Sequence, residues 1–157
     1  MPRGETTVSG TLSLYEAERA VRRTIIMLIR AFDDEDWSIV SECLSAACGG
    51  SAVVHGGRAE SIQGSDSMLN VMKQIAAQRR LDGIKCMHIV SELSVTVTGD
   101  AATGSSYQTA YLYRTGEVTS PTSKSGSLGT YGLRLEGNEW RVVSLQVARL
   151  WLEGESY

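Results

Sequence analysis

Residues 85–102 read KCMHIVSELSVTVTGDAA. Within this stretch apolar and polar residues alternate. The odd-numbered positions, which would share one face of a strand, are Ile89, Ser91, Leu93, Val95 and Val97. Alternation with a period of two is typical of a β-strand that buries one face. The pair Gly99-Asp100 is a two-residue turn of the kind that joins antiparallel strands, so residues 101–114 are expected to form the partner strand. The stretch therefore predicts a long β-hairpin, and it carries His88, one of only two histidines in the chain.

Further strands are predicted on both sides of this hairpin. Residues 128–135 and 140–152 form the last two, and residues 136–139 form the turn between them. Residues 116–126 are rich in Ser, Thr and Pro and are interpreted as a flexible loop or as the ragged tip of a long hairpin. A short strand at residues 51–55, with His55 at its exposed end, is expected to pair with residues 58–61. The sequence does not fix whether the odd-numbered or the even-numbered residues of each strand face the interior, because a single bulge would exchange the two faces.

Three helices are predicted from capping signals and apolar periodicity. Ser13 and Glu16 have the spacing of a capping box, and apolar residues recur at helical spacing from there to Phe32. A second helix is expected over residues 37–44, capped by Asp36, and a third from residue 64 to Arg80, with a break at residues 46–50. Helices followed by antiparallel strands predict an α+β fold. A curved, mainly antiparallel sheet around the first helices would leave a cone-shaped pocket for a small molecule.

Composition and charge exclude several classes of function. The chain has 157 residues, 42% hydrophobic and 21% charged, with a net charge of −3, which predicts one domain at residues 13–152 between flexible tails at 1–12 and 153–157. Lys and Arg cluster only in pairs, so no nucleic-acid partner is expected. No apolar run could span a bilayer, and residues 1–13 lack the apolar core of a signal peptide, so no membrane association and a cytoplasmic location are expected. Nucleotide motifs and zinc-ligand spacing are missing, so no cofactor or metal is expected, and the three cysteines are interpreted as buried free thiols.

Asp33 is the candidate partner of His88. It follows Leu28 by five residues on the first helix, so it can point the same way as the buried face. A carboxylate in that position would hold the histidine tautomer and raise its basicity. The alternative, that His88 is an ordinary hydrogen-bonded strand residue, stays open at this point.

Several segments in this order resemble SnoaL-like members of the NTF2-like superfamily. The matching segments are AFDDEDW (31–37), IQG (62–64), MHIVS (87–91), VTGDAA (97–102), GTY (129–131) and GNEWRV (137–142). The resemblance covers about residues 14–152. It implies a cone-shaped α+β barrel related to scytalone dehydratase, bile acid 7α-dehydratase, lindane dehydrochlorinase, ketosteroid isomerase and polyketide cyclases.

The resemblance also implies site residues and an assembly. By position, Asp33 and His88 correspond to the catalytic pair, with His88 as general base or proton shuttle and Asp33 as the group that orients it. Leu28 stands where the family often has a tyrosine acid. The usual arginine of the final strand is missing from positions 145 and 146, and Arg149 lies later in that strand. Candidate replacement donors are Tyr107, Gln108, Tyr111 and Tyr131, which are predicted to line the pocket with Leu28 and Phe32. A homodimer through the outer sheet face is also implied, for which Tyr111 and Tyr113 are alternative contacts.

The function predicted on this basis is a cofactor-independent lyase, isomerase or cyclase. Its substrate would be a hydrophobic small molecule such as a polyketide, a terpenoid or a steroid-like compound, as in natural product biosynthesis. Two alternatives stay open. One is a non-catalytic module for small-molecule binding or dimerisation, which the missing tyrosine and arginine favour. The other is an epoxide hydrolase-type variant, for which the usual Asp–Arg–Asp set is not found in the sequence.

Overall fold

The computed structural model describes the backbone of residues 7–53, 59–116 and 120–154. Helices and strands there follow the predicted order, and none of the described helices is long and apolar enough to cross a membrane. The elements are α1 (Thr7–Asp33), α2 (Trp37–Cys43), β1 (Leu44–Val53), β2 (Ala59–Gln63), α3 (Ser65–Leu81), β3 (Ile84–Thr98), β4 (Ala101–Arg114), β5 (Ser123–Glu136) and β6 (Glu139–Gly154). The α+β class predicted from the sequence is confirmed.

The strands form one curved, open sheet in the order β2-β1-β6-β5-β4-β3. Neighbouring strands are antiparallel except β1 and β6, which pair in parallel. Helix α1 lies against the concave face, where Val21 and Ile25 are fully buried. They belong to the same core as Leu133 of β5 and Val142 of β6. Burial of this helix stripe against the sheet is the main apolar contact that places the end of α1 near β3.

A bulge in β3 decides which residues of that strand face the core. The register with β4 shifts between Ser91 and Ser94, and Glu92 adopts a positive φ of 50°. An extra residue in one strand inverts the side-chain alternation beyond it. Cys86 and His88 therefore face inward before the bulge, and Leu93 and Val95 do so after it. The single parity predicted for residues 89–97 is wrong, since Ile89 is 49% exposed on the outer face.

Small residues form strands where the sequence suggests a break or a loop. Residues 46–50 belong to β1 and residues 123–126 belong to β5. The reason is close packing: a Cβ atom on Gly50 would overlap the main-chain carbonyl of Leu145, and one on Gly126 would overlap the Trp151 ring. Glycine at these positions lets β6 approach its neighbours, a tertiary role with no local signature.

The remaining differences concern the ends of the chain and one turn. Helix α1 begins at Thr7 and not at Ser13, because Gly10 alone costs only about 1 kcal/mol relative to Ala in a helix and does not stop it. Strand β6 extends to Gly154, beyond the predicted end at residue 152. The predictions for residues 1–6, 54–58 (which include His55), 117–119 and 155–157 lie outside the described residues.

Candidate active site

Asp33 and His88 are in direct contact, as the spacing argument predicts. The Oδ1 atom of Asp33 lies 2.6 Å from Nδ1 of the His88 ring. Its Oδ2 atom accepts a hydrogen bond from the backbone N–H of His88 at 2.7 Å. The two side chains are only 10% and 14% exposed. One carboxylate thus holds both the ring and the backbone of the histidine, which directs Nδ1 toward Asp33 and leaves Nε2 for a different partner.

The end of α1 selects Asp33 from a run of four acids. Asp33 is the last residue of the helix, and the chain turns at once through Asp34 and Glu35, where φ is positive at 56°. The other three acids have different partners: Asp34 pairs with Arg30 at 2.9 Å, Glu35 pairs with Arg80 at 3.0 Å, and Asp36 accepts from the Ile39 N–H as the cap of α2. Only Asp33 continues the inward face of α1, so it is the acid that reaches β3.

The surroundings of His88 raise its pKa. Burial lowers the pKa, but the hydrogen bond to Asp33 and the contact with Cys86 outweigh burial and raise it from 6.5 to about 9. The Cys86 Sγ atom lies 3.7 Å from Nδ1, and the Phe32 ring centroid lies 6.1 Å from that of His88. The ring is therefore mainly an imidazolium at neutral pH, and it becomes a base of appreciable strength once it is deprotonated.

Asp33, Cys86 and His88 also bring three potential metal ligands together. Their donor atoms all lie within 4.8 Å of one another. Three ligands are one fewer than a closed tetrahedral zinc site requires, and catalytic zinc sites with three ligands leave the fourth position open. The cluster differs from such a site because Nδ1 of His88 is held by Asp33 at hydrogen-bond distance. Cys43 and Cys48 are buried free thiols, as the sequence predicts, and lie outside this cluster.

A cavity of about 180 Å³ lies beside His88, between helices α1 and α3 and the concave face of the sheet. The predicted pocket residues Leu28, Phe32, Gln108 and Tyr131 all line it. Apolar side chains form most of its wall, including Met68, Met72, Ile75, Leu145 and Val147. A cavity of this kind excludes much of the water around His88, which strengthens electrostatic interactions there.

Tyr107 and Tyr111 do not line this cavity, and the prediction that they would is wrong. On β4 the buried positions are even-numbered, so Gln108 and Ala110 face inward. The two tyrosines have odd numbers and point to the outer face, where Tyr107 is 51% exposed. Tyr131 of β5 lies opposite Gly104, one of the inward-facing even-numbered positions of β4. Paired residues of neighbouring strands point to the same face, so the Tyr131 ring also faces inward.

Sequence reasoning missed Arg79 and three serines of the cavity, and it noted Arg149 only as an arginine beyond the family's usual position. Arg79 comes from α3, Arg149 from β6, Ser51 from β1, and Ser125 and Ser127 from β5. A signal for Arg79 is present in the sequence, because it follows Ile75 by four residues on the apolar stripe of the third helix. Nothing in the sequence shows that Arg149 or the serines face the cavity, since the direction of each side chain depends on strand register, which shifts between Gly126 and Ser127.

Gln108 and Tyr131 form a buried polar pair in the cavity wall. The Gln108 side-chain amide donates to the Tyr131 hydroxyl and, at 3.2 Å, to Ser106 Oγ. Gln108 is 5% exposed and Tyr131 is 4% exposed. Burial raises the pKa of Tyr131, which keeps its hydroxyl protonated at neutral pH. The hydroxyl can therefore donate a hydrogen bond to an oxygen atom in the cavity.

Comparison with known proteins points to one family and one fold. A family model described as a SnoaL-like domain matches residues 14–146, whereas no curated protein matches the chain. An NTF2-like protein with a cystatin-like fold from Novosphingobium aromaticivorans has 20% identity and a TM-score of 0.75, with 96% of this chain and 92% of that chain covered. A protein of the same organism provisionally named scytalone dehydratase has 13% identity and a TM-score of 0.73, with coverage of 92% and 91%. LinA has 10% identity and a TM-score of 0.73, with coverage of 92% and 93%. At these identities the structural similarity shows the fold alone.

Proposed function

The chain belongs to the SnoaL-like domain family, and from this premise we propose that it is a cofactor-independent lyase, isomerase or cyclase for a hydrophobic small molecule. The observation that carries the proposal is the Asp33–His88 pair at the wall of a mainly apolar cavity. A fold shared with enzymes does not establish an activity, so the proposal depends on the site itself. The provisional scytalone dehydratase name of one structural neighbour is consistent with this chemistry.

In the proposed mechanism His88 moves a proton through Nε2. The reactive form is the minor fraction of the protein whose His88 ring is neutral, a fraction that grows as the pH approaches 9. The neutral ring removes a proton from a carbon next to a carbonyl group, and the C–H electron pair forms an enolate. Asp33 stabilises the imidazolium that forms. The imidazolium then returns the proton to a departing hydroxyl, which completes an elimination, or to another carbon, which completes an isomerisation. Positioned acid–base catalysis of this kind contributes about 10²–10⁴-fold to the rate.

Tyr131 is proposed to stabilise the developing oxyanion. Leu28, which is buried, occupies the position of the family's usual tyrosine acid and has no polar atom to donate. The Tyr131 hydroxyl stays protonated and is oriented by Gln108. A preorganised neutral donor of this kind interacts more strongly with an enolate oxygen than with a ketone oxygen.

Exchange of carbon-bound hydrogen tests the proposal without knowledge of the natural substrate. The protein is incubated in D₂O with a panel of small cyclic ketones and β-hydroxy ketones, and deuterium incorporation is followed by ¹H NMR. We expect wild-type protein to accelerate exchange for at least one compound. His88→Gln should abolish the acceleration, Asp33→Asn should reduce it at least 10-fold, and Asp34→Asn should retain it. Equal exchange by folded wild type and His88→Gln contradicts the proposal.

A non-catalytic binding module is the second candidate. The observation that favours it is Leu28 in place of the tyrosine acid. Binding of a panel compound without any accelerated exchange would support this alternative. An epoxide hydrolase-type function is not favoured, because no described residue that lines the cavity is a carboxylate.

We further propose that two copies of the chain associate through the outer face of the sheet. Large apolar side chains are exposed there: Met87 at 46%, Ile89 at 49%, Tyr107 at 51% and Trp151 at 46%. Exposed apolar side chains that cluster on one face are typical of an interface. Light scattering during gel filtration should give the mass of a dimer, and Ile89→Lys should shift it toward that of a monomer. A monomeric wild type contradicts the proposal.

A further inference from the structure

We propose that the natural ligand is a small organic anion, a single-ring-sized apolar body that carries a carboxylate, and that Arg79 recognises the carboxylate with Arg149. The inference rests on the proposed function only in taking this ligand to be the substrate. The binding site itself stands on the charge, position and size of the cavity, so it can be tested apart from turnover.

The charge of the cavity wall is unbalanced. Three basic side chains line the cavity, namely Arg79, His88 and Arg149, and none of the described lining residues is acidic. Asp33 lies behind His88 and pairs with it alone among the described side chains. Asp33 pairs with the imidazolium, and Glu35, which borders Arg79 in a neighbouring cleft, pairs with Arg80. Neither guanidinium group of the cavity has an ion-pair partner among the described residues. A cleft with one sign of charge and apolar walls attracts ligands of the opposite sign.

Arg79 is placed at the cavity by contact with Phe32. It is half-buried, and its guanidinium carbon lies 5.8 Å from the centroid of the Phe32 ring. Among the described residues, no carboxylate forms an ion pair with Arg79. The next residue differs: Arg80 pairs with Glu35 at 3.0 Å and does not line the cavity. A partly buried cation is stabilised when a counterion replaces the water it has lost, and here a ligand can supply that counterion.

Arg149 reaches the cavity from the sheet. It lies opposite Ser127 in the β5–β6 ladder, and both residues line the cavity together with Ser125. Arg149 is exposed, so it belongs to the outer part of the cavity. Guanidinium groups bind carboxylates through paired N–H donors, a geometry that also discriminates against neutral ligands. The serine hydroxyls add donors on the same wall.

The size of the cavity indicates how large an apolar body it can enclose. Its volume is about 180 Å³. An apolar cavity of about 150 Å³ in another protein is known to hold one benzene molecule. The apolar wall contributed by Leu28, Met68 and Val147 favours a hydrocarbon body of that size. A single ring with one carboxylate satisfies the volume, the apolar wall and the free positive charge together.

The test compares benzoate with its neutral isostere benzamide by isothermal titration calorimetry on the full chain at pH 7. We expect benzoate to bind at least 10-fold more tightly than benzamide. Arg79→Gln should remove about 10-fold of the benzoate affinity without a change for benzamide, and Arg149→Gln should have a smaller effect of the same kind. Arg80→Gln is the matched control, and it should behave as wild type in both titrations.

Any of three results would overturn the inference. The first is equal affinity for benzoate and benzamide, the second is no measurable binding of benzoate, and the third is an equal loss of benzoate affinity in Arg79→Gln and Arg80→Gln. Arg79→Lys, which keeps the charge and much of the side-chain volume, should retain more benzoate affinity than Arg79→Gln and serves if the latter folds poorly. His88→Gln separates the two proposals: it should lose proton exchange but keep the preference for benzoate that depends on Arg79. If His88→Gln loses the preference for benzoate and Arg79→Gln retains it, the imidazolium is the source of the preference. That result overturns the role of Arg79.

Discussion

One carboxylate, that of Asp33, holds His88 at two atoms, with Oδ1 2.6 Å from the ring Nδ1 and Oδ2 2.7 Å from the backbone nitrogen. The same side chain therefore orients the imidazole and ties the end of α1 to β3. This double contact couples the chemistry of the site to the packing of the fold. A change at Asp33 is expected to affect both the protonation of His88 and its position.

The first prediction concerns the protonation of His88. In wild-type protein its ring should titrate with a pKa of about 9. Asp33→Asn removes the carboxylate that raises the pKa of His88 and leaves burial, which lowers it, and the Cys86 contact, which raises it, so the pKa should fall clearly below its wild-type value of about 9. The measurement is an NMR titration of the His88 ring, assigned with His88→Gln. Asp34→Asn is the control, because Asp34 pairs with Arg30 at the surface. A wild-type pKa near 6.5 would contradict the prediction.

The second prediction concerns stability as a function of pH. The folded protein binds the His88 proton more tightly than the unfolded chain does, since the pKa rises from 6.5 to about 9. The resulting stabilisation is fully present below pH 6.5 and is lost as the pH rises through 9. Its size is on the order of 3 kcal/mol by the standard conversion of pKa shifts.

Urea unfolding between pH 6 and pH 9 measures this effect. The free energy of unfolding of wild type should decrease across the interval, and that of His88→Gln should be nearly flat. Cys43 and Cys48 stay out of this window, because burial raises the pKa of each thiol to about 11. Their buried neutral forms also stabilise the fold, but that contribution is lost only between about pH 9 and pH 11. A wild-type protein that is no less stable at pH 9 than at pH 6 is incompatible with the prediction.

The third prediction concerns the bulge in β3. Glu92 has a φ of 50°, a backbone conformation that costs a non-glycine residue about 1–2 kcal/mol. Glu92→Gly should therefore stabilise the protein by roughly 1 kcal/mol, after the larger conformational entropy of glycine in the unfolded chain is allowed for. Glu92→Ala removes the same side chain without relief of the strain, and it should give no such gain in chemical denaturation. Equal effects of the two substitutions would show that the backbone is not strained there.

The fourth prediction concerns the buried pair Gln108 and Tyr131. Tyr131→Phe removes an acceptor of the Gln108 amide at a position where water is excluded. An unsatisfied buried polar group costs about 1–3 kcal/mol, so the free energy of unfolding should fall by that amount. Tyr111→Phe, on the outer face of β4, should change it by less than about 0.5 kcal/mol. Comparable losses in the two variants would contradict the assigned role of the pair.

Local periodicity accounts for what could be predicted at the site. The helical spacing of Leu28 and Asp33 places the acid on the inward face of α1, and the alternation around His88 places it on a strand. Both patterns repeat within a few residues, so they are visible in the sequence. The contact between Asp33 and His88 forms when α1 packs against the sheet.

Residues whose direction depends on strand register could not be predicted. Tyr107 and Tyr111 face outward, and Arg149 reaches the cavity, because pairing and bulges set the side-chain parity of each strand. One inserted residue at Glu92 inverts the parity of half a strand, and nothing in its neighbours' identities marks it.

By itself the sequence determined the order of helices and strands and the α+β class, and it predicted Asp33 as the partner of His88. The tertiary structure alone decided which strand faces form the cavity, that Gly50 and Gly126 lie within strands, and that Arg79 and Arg149 share one cavity. The physical reason is the range of the interactions. The apolar patterns of helices and strands repeat about every four and every two residues, so they are visible in the sequence. Strand register and the cavity depend on segments that are distant in the chain and meet only when the sheet packs over the helices.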